Sequence, residues 1–343
     1  FAKAENEINI RMYIFKADPY AITIADQLKA RSKEGVKVKV LLDEINSVLN
    51  WTKTPQQLHS KDYIMPGIKK YLKNGSKVKV RTKLNTWTNT DHSKVIIVDG
   101  KLAYTGGMNF GEEYRYFWHD MMIALEGPVV DKLKDDFKQA WTFAGAGGDF
   151  AAAARAVFKA RIDYKKGAEP DMYVIRLLYT KPTSAEIFNA QIEAIRRSKK
   201  RIYIQNPYFS DVRVLQELIN ARARGVDVRI ILPSENDNGV MGRNNIVKAN
   251  IMFKNGIKVY FYPRMSHIKA CIYDNWACVG SANFDKFSLY VNGEMNIAVS
   301  DPRFVEDLNN KLFMKDFAES ELVTRELDTS AVDYVITSLA AHG

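Results

Sequence analysis

DHSKVIIVDGKLAYTGGMNFG, residues 91–111, and SHIKACIYDNWACVGSANFD, residues 266–285, are two copies of one pattern. In each copy a histidine, a lysine and an aspartate recur with the spacing H-x-K-x4-D, and a G-[GS]-x-N follows. A lone His-x-Lys carries almost no information, because the basic edge of an ordinary hairpin looks the same. Two copies with matched asparagines indicate an internal duplication.

Further landmarks extend the duplication in both directions. Upstream, LKNGSKVKV (72–80) parallels FKNGIKVYF (253–261). Downstream, Asp120 follows the first histidine by 28 residues and Glu294 follows the second by 27. We therefore expect a first repeat at 1–142, a connector at 143–170 that is rich in Ala and Gly, and a second repeat at 171–343.

The two repeats differ in length. Only ten residues precede Arg11 in the first repeat, so we expect its opening strand to be missing. Surplus residues around 46–67 predict a longer loop, which either shapes a substrate entrance or is irregular padding.

Each repeat alternates short β-rich runs with amphipathic segments. INIRMYIF (8–15) and RIYIQNPYF (201–209) are typical of strands, whereas AITIADQLKARSKEG (21–35) and RVLQELINARARG (213–225) have helical spacing and end at a glycine. This alternation predicts two duplicated α/β units, each with a central, mainly parallel sheet flanked by helices. We expect the units to pack about a pseudo-twofold axis, so that the two motifs converge on one pocket.

Composition limits the partners. A net charge of +10 favours an anionic partner, namely nucleic acid, an anionic membrane surface or a phosphorylated substrate, although simple solubility explains it equally well. Cys271 and Cys278 are the two cysteines, and they flank a turn, so we expect them to be small core residues rather than zinc ligands. We predict no metal and no cofactor.

The paired motifs suit phosphodiester chemistry. Residues at i and i+2 on a strand share a face, so His92 projects with Lys94 and His267 with Lys269. One neutral histidine can attack phosphorus to form a phosphohistidine, while the other, protonated, donates to the leaving oxygen. The lysines then neutralise the equatorial phosphate oxygens, which a metal ion would otherwise do.

Other candidate residues support these groups. We expect phosphate-binding roles for the matched positions of the G-[GS]-x-N segments: Gly107, Asn109, Ser281 and Asn283. Asp120 and Glu294 stand where a carboxylate can orient each imidazole and set its tautomer. Asp99 and Asp274 directly close hairpins, so we assign them a structural role in the turn.

Paired H-x-K-x4-D motifs, each followed by G-[GS]-x-N, resemble the phospholipase D superfamily over nearly the whole chain. TGGMNFGEEY, WHDMMIALEGPVV and VGSANFDKFSLYVNGEMNIAV are most similar to bacterial cardiolipin synthases, which move a phosphatidyl group from one phosphatidylglycerol to another. The resemblance implies His92 as nucleophile and His267 as acid and base, with the reverse assignment open. One departure is Ser93, where those synthases commonly carry a basic residue.

Two further functions stay open at this point. The superfamily also contains metal-independent nucleases, and the third possibility is a non-catalytic binder of anionic surfaces. Aromatic residues at 114–122, with Trp51 and Trp87, suit an acyl-chain groove, base stacking or plain core packing. We expect an anionic phospholipid surface as the partner, with nucleic acid less favoured. We further expect peripheral attachment at a bacterial inner membrane, with a periplasmic or secreted location as the alternative; a monomer can suffice.

Overall fold

The computed structural model describes residues 1–43, 67–83, 90–144, 173–334 and 337. The chain divides into two compact units. The first comprises Phe1–Tyr116 and Met122–Pro170, and the second comprises Phe117–Met121 and Asp171–Gly343. A five-residue segment of the first half of the sequence therefore belongs to the second unit.

The described residues of the first unit form a six-stranded sheet and three α-helices. Its strands are β1 (Glu7–Met12), β2 (Lys37–Asp43), β3 (Lys79–Lys83), β4 (Val95–Val98), β5 (Leu102–Gly106) and β6 (Met122–Glu126), in the spatial order β3-β2-β1-β4-β5-β6. Its helices are α1 (Pro19–Lys33), α2 (Ile68–Lys73) and α3 (Pro128–Phe143), and the π-helix π1 (Glu113–Phe117) follows β5.

Helix α1 shows how the sequence builds this unit. Asp18 caps its start by accepting a hydrogen bond from the backbone N–H of Ala21, and Pro19 occupies the first turn, where its missing N–H costs nothing. The helix ends before Gly35, whose φ of 101° lies in the left-handed region. The buried face of α1, which includes Ile24 and Leu28, packs into one core with β1, β2 and α2.

The second unit repeats this plan and extends it. Its strands are β7 (Ile175–Lys181), β8 (Ser184–Ala185), β9 (Arg201–Gln205), β10 (Asp227–Pro233), β11 (Lys258–Tyr262), β12 (Ala270–Tyr273), β13 (Trp276–Gly280), β14 (Glu294–Val299) and β15 (Glu321–Leu322), in the order β15-β11-β10-β9-β12-β13-β14-β7-β8. Its helices are α4 (Glu186–Arg197), α5 (Val212–Ala223), α6 (Gly239–Lys254), α7 (Pro302–Leu308) and α8 (Met314–Glu319), with π2 (Phe287–Val291) and π3 (Asn309–Phe313).

The two duplicated α/β units predicted from the sequence are confirmed, but the direction of the strands needs a correction. Each sheet is mixed rather than mainly parallel: β1, β2 and β3 run parallel, whereas β4, β5 and β6 pair antiparallel, and β9 to β14 repeat this arrangement. The physical reason is connection length, since tight hairpins join antiparallel strands and parallel neighbours need a long crossover.

Some sequence-based predictions fall on undescribed residues. The expected connector lies outside the described residues apart from 143 and 144, and the expected long loop lies outside them apart from Gly67. Within the described part of the chain, every helix is too short or too polar to cross a bilayer.

Candidate active site

The first motif lies at the carboxyl edge of the parallel strands of the first unit. His92 and Lys94 lie just before β4, and not in β4 itself as the sequence suggested. Both residues are buried, and Lys94 Nζ donates a hydrogen bond to the carbonyl oxygen of His92 at 2.6 Å. The Tyr13 ring meets the imidazole edge-on at 4.4 Å and lies 4.9 Å from Lys94 Nζ. The imidazole and the ammonium group therefore have fixed positions.

Buried charges hold the start of this segment. The backbone N–H of Asp91 donates to the Asp43 carboxylate at 2.9 Å, and Arg11 Nε donates to both oxygens of Asp91 at 3.0 and 2.8 Å. Burial acts to raise the pKa of Asp91, but the charges of Arg11 and Lys83, together with hydrogen bonds from Arg11 and Ser93, leave this pKa below its usual value. The residue before the catalytic candidate is thus an ionised anchor.

The second motif repeats this geometry in the second unit. His267 and Lys269 are buried just before β12, and Lys269 Nζ donates to the carbonyl oxygen of His267 at 2.7 Å. His267 Nδ1 lies 2.7 Å from the carboxylate of Asp120, whose side chain is fully buried. A carboxylate on Nδ1 holds the proton there, leaves Nε2 for chemistry and stabilises the imidazolium form.

The Phe117–Met121 segment carries Asp120 to this position. His119 N donates to the carbonyl of Met265 at 2.9 Å, and His267 N donates to the carbonyl of His119 at 2.7 Å. The His119 ring lies 2.7 Å from the Asp316 carboxylate and stacks on Tyr262 with a centroid separation of 4.6 Å. These backbone hydrogen bonds and the contacts of the His119 side chain hold the segment that carries Asp120 in place.

Glu294 begins β14 beside the G-S-A-N turn. Its carboxylate accepts a hydrogen bond from Ser281 Oγ at 2.5 Å, and Ser281 N donates to Asn296 Oδ1 at 3.0 Å. Both Glu294 and Ser281 are buried. The structure thus places these two candidate residues in direct contact within one unit.

The two asparagines have different surroundings. Asn109 Oδ1 accepts a hydrogen bond from the backbone N–H of Ile14 at 3.1 Å. Asn283 Oδ1 is buried and has no hydrogen-bond partner among the described residues. A buried polar atom of this kind requires an explanation, and because Oδ1 accepts, its partner must be a donor and not a phosphate oxygen. Gly107, the remaining candidate, is buried directly after β5.

Asp99 and Asp274 lie at the opposite ends of their strands from the histidines. Asp99 accepts hydrogen bonds from the backbone N–H groups of Glu5, Asn6 and Glu7, and Asp274 accepts them from the amides of 199–201. Both aspartates have positive φ, 53° and 49°, a conformation that Asp tolerates better than most residues. This is the geometry that a turn-holding role requires.

The comparisons with known proteins decide the family. A family described as "Cardiolipin synthase, PLD-like domain" matches residues 1–141 and 191–315. The chain belongs to this family. It is therefore an enzyme of the phospholipase D superfamily, as the paired motifs predicted.

Individual relatives agree with this assignment. The cardiolipin synthase of Clostridium perfringens is 30% identical over 339 residues, which cover 94% of this chain and 68% of that protein. The cardiolipin synthase of Listeria welshimeri is 27% identical over 350 residues, covering 95% and 67%. The phosphatidylserine synthase of Haemophilus influenzae superposes with a TM-score of 0.70 at 14% identity, covering 98% and 87%, and shows the shared fold.

Asp285, which the sequence analysis did not single out, lies beside the second G-S-A-N segment. It follows Asn283 by two positions, where the first copy of the motif has Gly111. Burial raises the pKa of Asp285 to about 6, and the nearby charge of Glu294 adds to this effect. The sequence did contain a signal for Asp285, because the second copy reads NFD where the first reads NFG. A comparison of the copies that looks only for identical residues does not detect it.

Aromatic residues of 114–122 do not form one cluster. Tyr114 is buried, Tyr116 and Phe117 are 61% and 64% exposed, and the Trp118 ring lies 5.5 Å from that of His267. Of these four aromatic residues, only Tyr114 is buried as core packing requires. Trp51 and Trp87, which the sequence analysis grouped with them, lie outside the described residues.

The cysteines have a packing role. Cys271 and Cys278 are directly paired on β12 and β13, and both are buried and free. Burial raises the pKa of Cys278 to about 12 and that of Cys271 well above its usual value, so neither forms a thiolate readily. Among the described residues, no group of three or more His, Cys, Asp or Glu side chains is arranged to hold a metal ion.

Proposed function

We propose that this enzyme transfers a phosphatidyl group from one anionic glycerophospholipid to the hydroxyl of another, as cardiolipin synthases do, through a phosphohistidine intermediate. The observation that carries the proposal is the ordered motif of each unit. In both units a buried lysine is fixed on the carbonyl oxygen of its own histidine, and a carboxylate lies on Nδ1 of His267. The similarity to cardiolipin synthases over almost the whole chain supports the lipid substrate.

The first half-reaction forms the covalent intermediate. His92 attacks phosphorus, the P–O bond to the leaving glycerol breaks, and the His267 imidazolium gives its proton to the leaving oxygen. Lys94 and Lys269 stabilise the charge that develops on the equatorial oxygens. Asn109 and Asn283 donate further hydrogen bonds to the phosphate beside Gly107, whereas Ser281 already donates from Oγ to Glu294 and from N to Asn296.

The second half-reaction reverses these roles. His267 now accepts the proton of the incoming lipid hydroxyl, whose oxygen attacks phosphorus and breaks the P–N bond to His92. The carboxylate of Asp120 supports both steps, because it stabilises the charged imidazole in the first and fixes the accepting Nε2 in the second. Glu294 has the matching position in the second repeat, and we propose the same orienting function for it.

We propose that the enzyme acts while peripherally attached to an anionic phospholipid surface, at a bacterial inner membrane. The net charge of +10 supports attraction to such a surface, and the exposed rings of Tyr116 and Phe117 support interfacial contact.

Product analysis tests the function directly. The enzyme is incubated with phosphatidylglycerol in mixed micelles and, separately, with single-stranded DNA. We expect cardiolipin and glycerol from the lipid, no cleavage of the DNA, and unchanged rates with EDTA. His92→Ala and His267→Ala should each abolish turnover while the melting temperature is retained, whereas Lys33→Gln, an exposed residue at the end of α1, should change nothing. DNA cleavage without lipid turnover would establish the nuclease alternative, and near-normal activity of either histidine variant would refute the mechanism.

A further inference from the structure

A cationic pocket lies on the first unit, away in sequence from both motifs. It has a volume of about 530 Å³, and its polar lining consists of Lys39 on β2, Lys73 at the end of α2, and Lys79 and Arg81 on β3, with Trp141 of α3 beside them. We call it the β2–β3 pocket. No residue of the H-x-K-x4-D motifs lines it. Its volume is within the range of small-molecule sites, roughly 300–1,000 Å³.

Strand pairing forces the positive charges of the pocket together. Lys39 on β2 is the direct partner of Lys79 on β3, so their side chains leave the same face of the sheet. The alternating Val38 and Val40 face the core instead. Like charges directly opposite one another destabilise a sheet. Among the described residues, no ion pair includes any of the four pocket cations, and the carboxylate of Glu7 on β1 pairs with Lys134.

The second unit shows that the fold itself does not require this charge. Arg229 on β10 matches Lys39, its direct partner on β11 is Lys258, and Asp227 accepts hydrogen bonds from both, at 2.8 and 3.1 Å. Asp227 lies two residues after Gly225, and the residue two after the matching Gly35 is Lys37. The same scaffold therefore neutralises the pair in one repeat and adds a cation in the other. An anionic ligand explains why the first repeat retains the repulsion.

The side chains indicate how that ligand is recognised. Arg81 lies over the Trp141 ring at 4.7 Å and donates from Nη1 to the Trp141 carbonyl at 2.5 Å. Lys39 lies 5.8 Å from the same ring, and Phe137 stacks against it at 5.9 Å. The indole is thus already occupied, which leaves it poorly suited to stacking on a nucleobase. What the pocket offers is a fixed guanidinium and three ammonium groups, which suit a phosphate.

We propose that the β2–β3 pocket binds the phosphate of an anionic phospholipid headgroup and so docks the first unit on the membrane surface. The choice of a lipid over a soluble phosphate rests on the proposed function. The positive charge and the geometry of the pocket are observations that do not depend on that function. The pocket is a binding site and takes no part in phosphatidyl transfer.

Vesicle binding tests this site apart from catalysis. All proteins carry His267→Ala, so that turnover does not alter the vesicles, and they are sedimented with vesicles of 30% phosphatidylglycerol in phosphatidylcholine. The pocket variant is Lys73→Gln/Lys79→Gln, and the control is Lys3→Gln/Lys33→Gln, since all four lysines are exposed and each pair removes two charges. We expect the dissociation constant to rise about fivefold for each pocket lysine, about 25-fold for both, and less than threefold for the control.

Each alternative outcome overturns the proposal in a recognisable way. If the two double variants weaken vesicle binding equally, binding depends on the overall positive charge of the protein and not on the pocket. Displacement from vesicles by equimolar glycerol 3-phosphate means that the ligand is a soluble phosphate. Loss of binding to a single-stranded oligonucleotide, with vesicle binding unchanged, means a nucleic-acid site. In the catalytically intact background, Lys73→Gln/Lys79→Gln should raise the micelle concentration needed for half-maximal turnover, whereas His92→Ala should abolish turnover at every micelle concentration, so failure of the pocket and failure of the proposed function are separable.

Discussion

Replacing Asp120 with asparagine tests the electrostatic role of its contact with His267. The substitution keeps the size of the side chain and an oxygen that can accept from Nδ1, but it removes the negative charge 2.7 Å from that nitrogen. With the charge centres roughly 4 Å apart and an effective dielectric constant of about 20, the carboxylate stabilises the imidazolium by up to about 4 kcal/mol. Since about 1.4 kcal/mol is a factor of ten, kcat should fall by roughly 10³.

The assay measures glycerol release from phosphatidylglycerol in mixed micelles, with kcat and KM determined separately. We expect KM to change little, because Asp120 is fully buried and acts through His267. The matched control is Asp316→Asn, which removes a carboxylate from a second imidazole, that of His119, also at 2.7 Å and in the same unit. Both variants should lower the melting temperature, but Asp316→Asn should keep kcat within about threefold.

Two results would refute this reasoning. If Asp120→Asn kept kcat within threefold of the parent enzyme, the carboxylate would not stabilise a charged His267 during turnover. If Asp316→Asn lowered kcat as much as Asp120→Asn, the loss would reflect the packing of the 117–121 segment rather than the charge on His267.

The remaining predictions concern stability. Burial alone would raise the pKa of Asp274, but the backbone hydrogen bonds that favour the ionised carboxylate outweigh this effect, and the pKa is lowered overall. The ionised carboxylate therefore stabilises the fold fully above about pH 4, and this stabilisation is lost as the pH falls through the lowered pKa of the folded state. Asp274→Asn should therefore cost about 1–2 kcal/mol at pH 7 and less at pH 3 in urea unfolding. The pKa of Asp285 is raised to about 6, so the fold favours its protonated form, and this contribution to the free energy of unfolding is lost as the pH rises from about 4 to above 6. Asp285→Asn should therefore flatten the pH dependence of stability over that range. Gly280→Ala should lower the free energy of unfolding by about 1–3 kcal/mol because its Cβ would collide with Asn296 and the Met295 carbonyl, whereas Gly67→Ala, with open space around it, should not; equal melting temperatures would contradict this.

The amino-acid sequence by itself determined the duplication, the family and the four motif residues His92, Lys94, His267 and Lys269. These features depend on local spacing, which survives in the linear pattern. An i, i+2 pair in extended backbone projects to one side wherever the segment lies, and an aspartate before glycine or asparagine marks a hairpin turn. The motif residues lie just before the strands rather than in them, but the lysine contacts its own histidine in both units.

Only the tertiary structure decided which groups surround the motif residues. Asp120 meets His267 because the 117–121 segment belongs to the second unit, although it lies 147 residues away in the sequence. The charge of the β2–β3 pocket arises because Lys39 and Lys79 become neighbours through strand pairing. The physical reason is the same in both cases. Electrostatic and hydrogen-bond energies depend on distance in space and on burial, and neither can be read from positions along the chain.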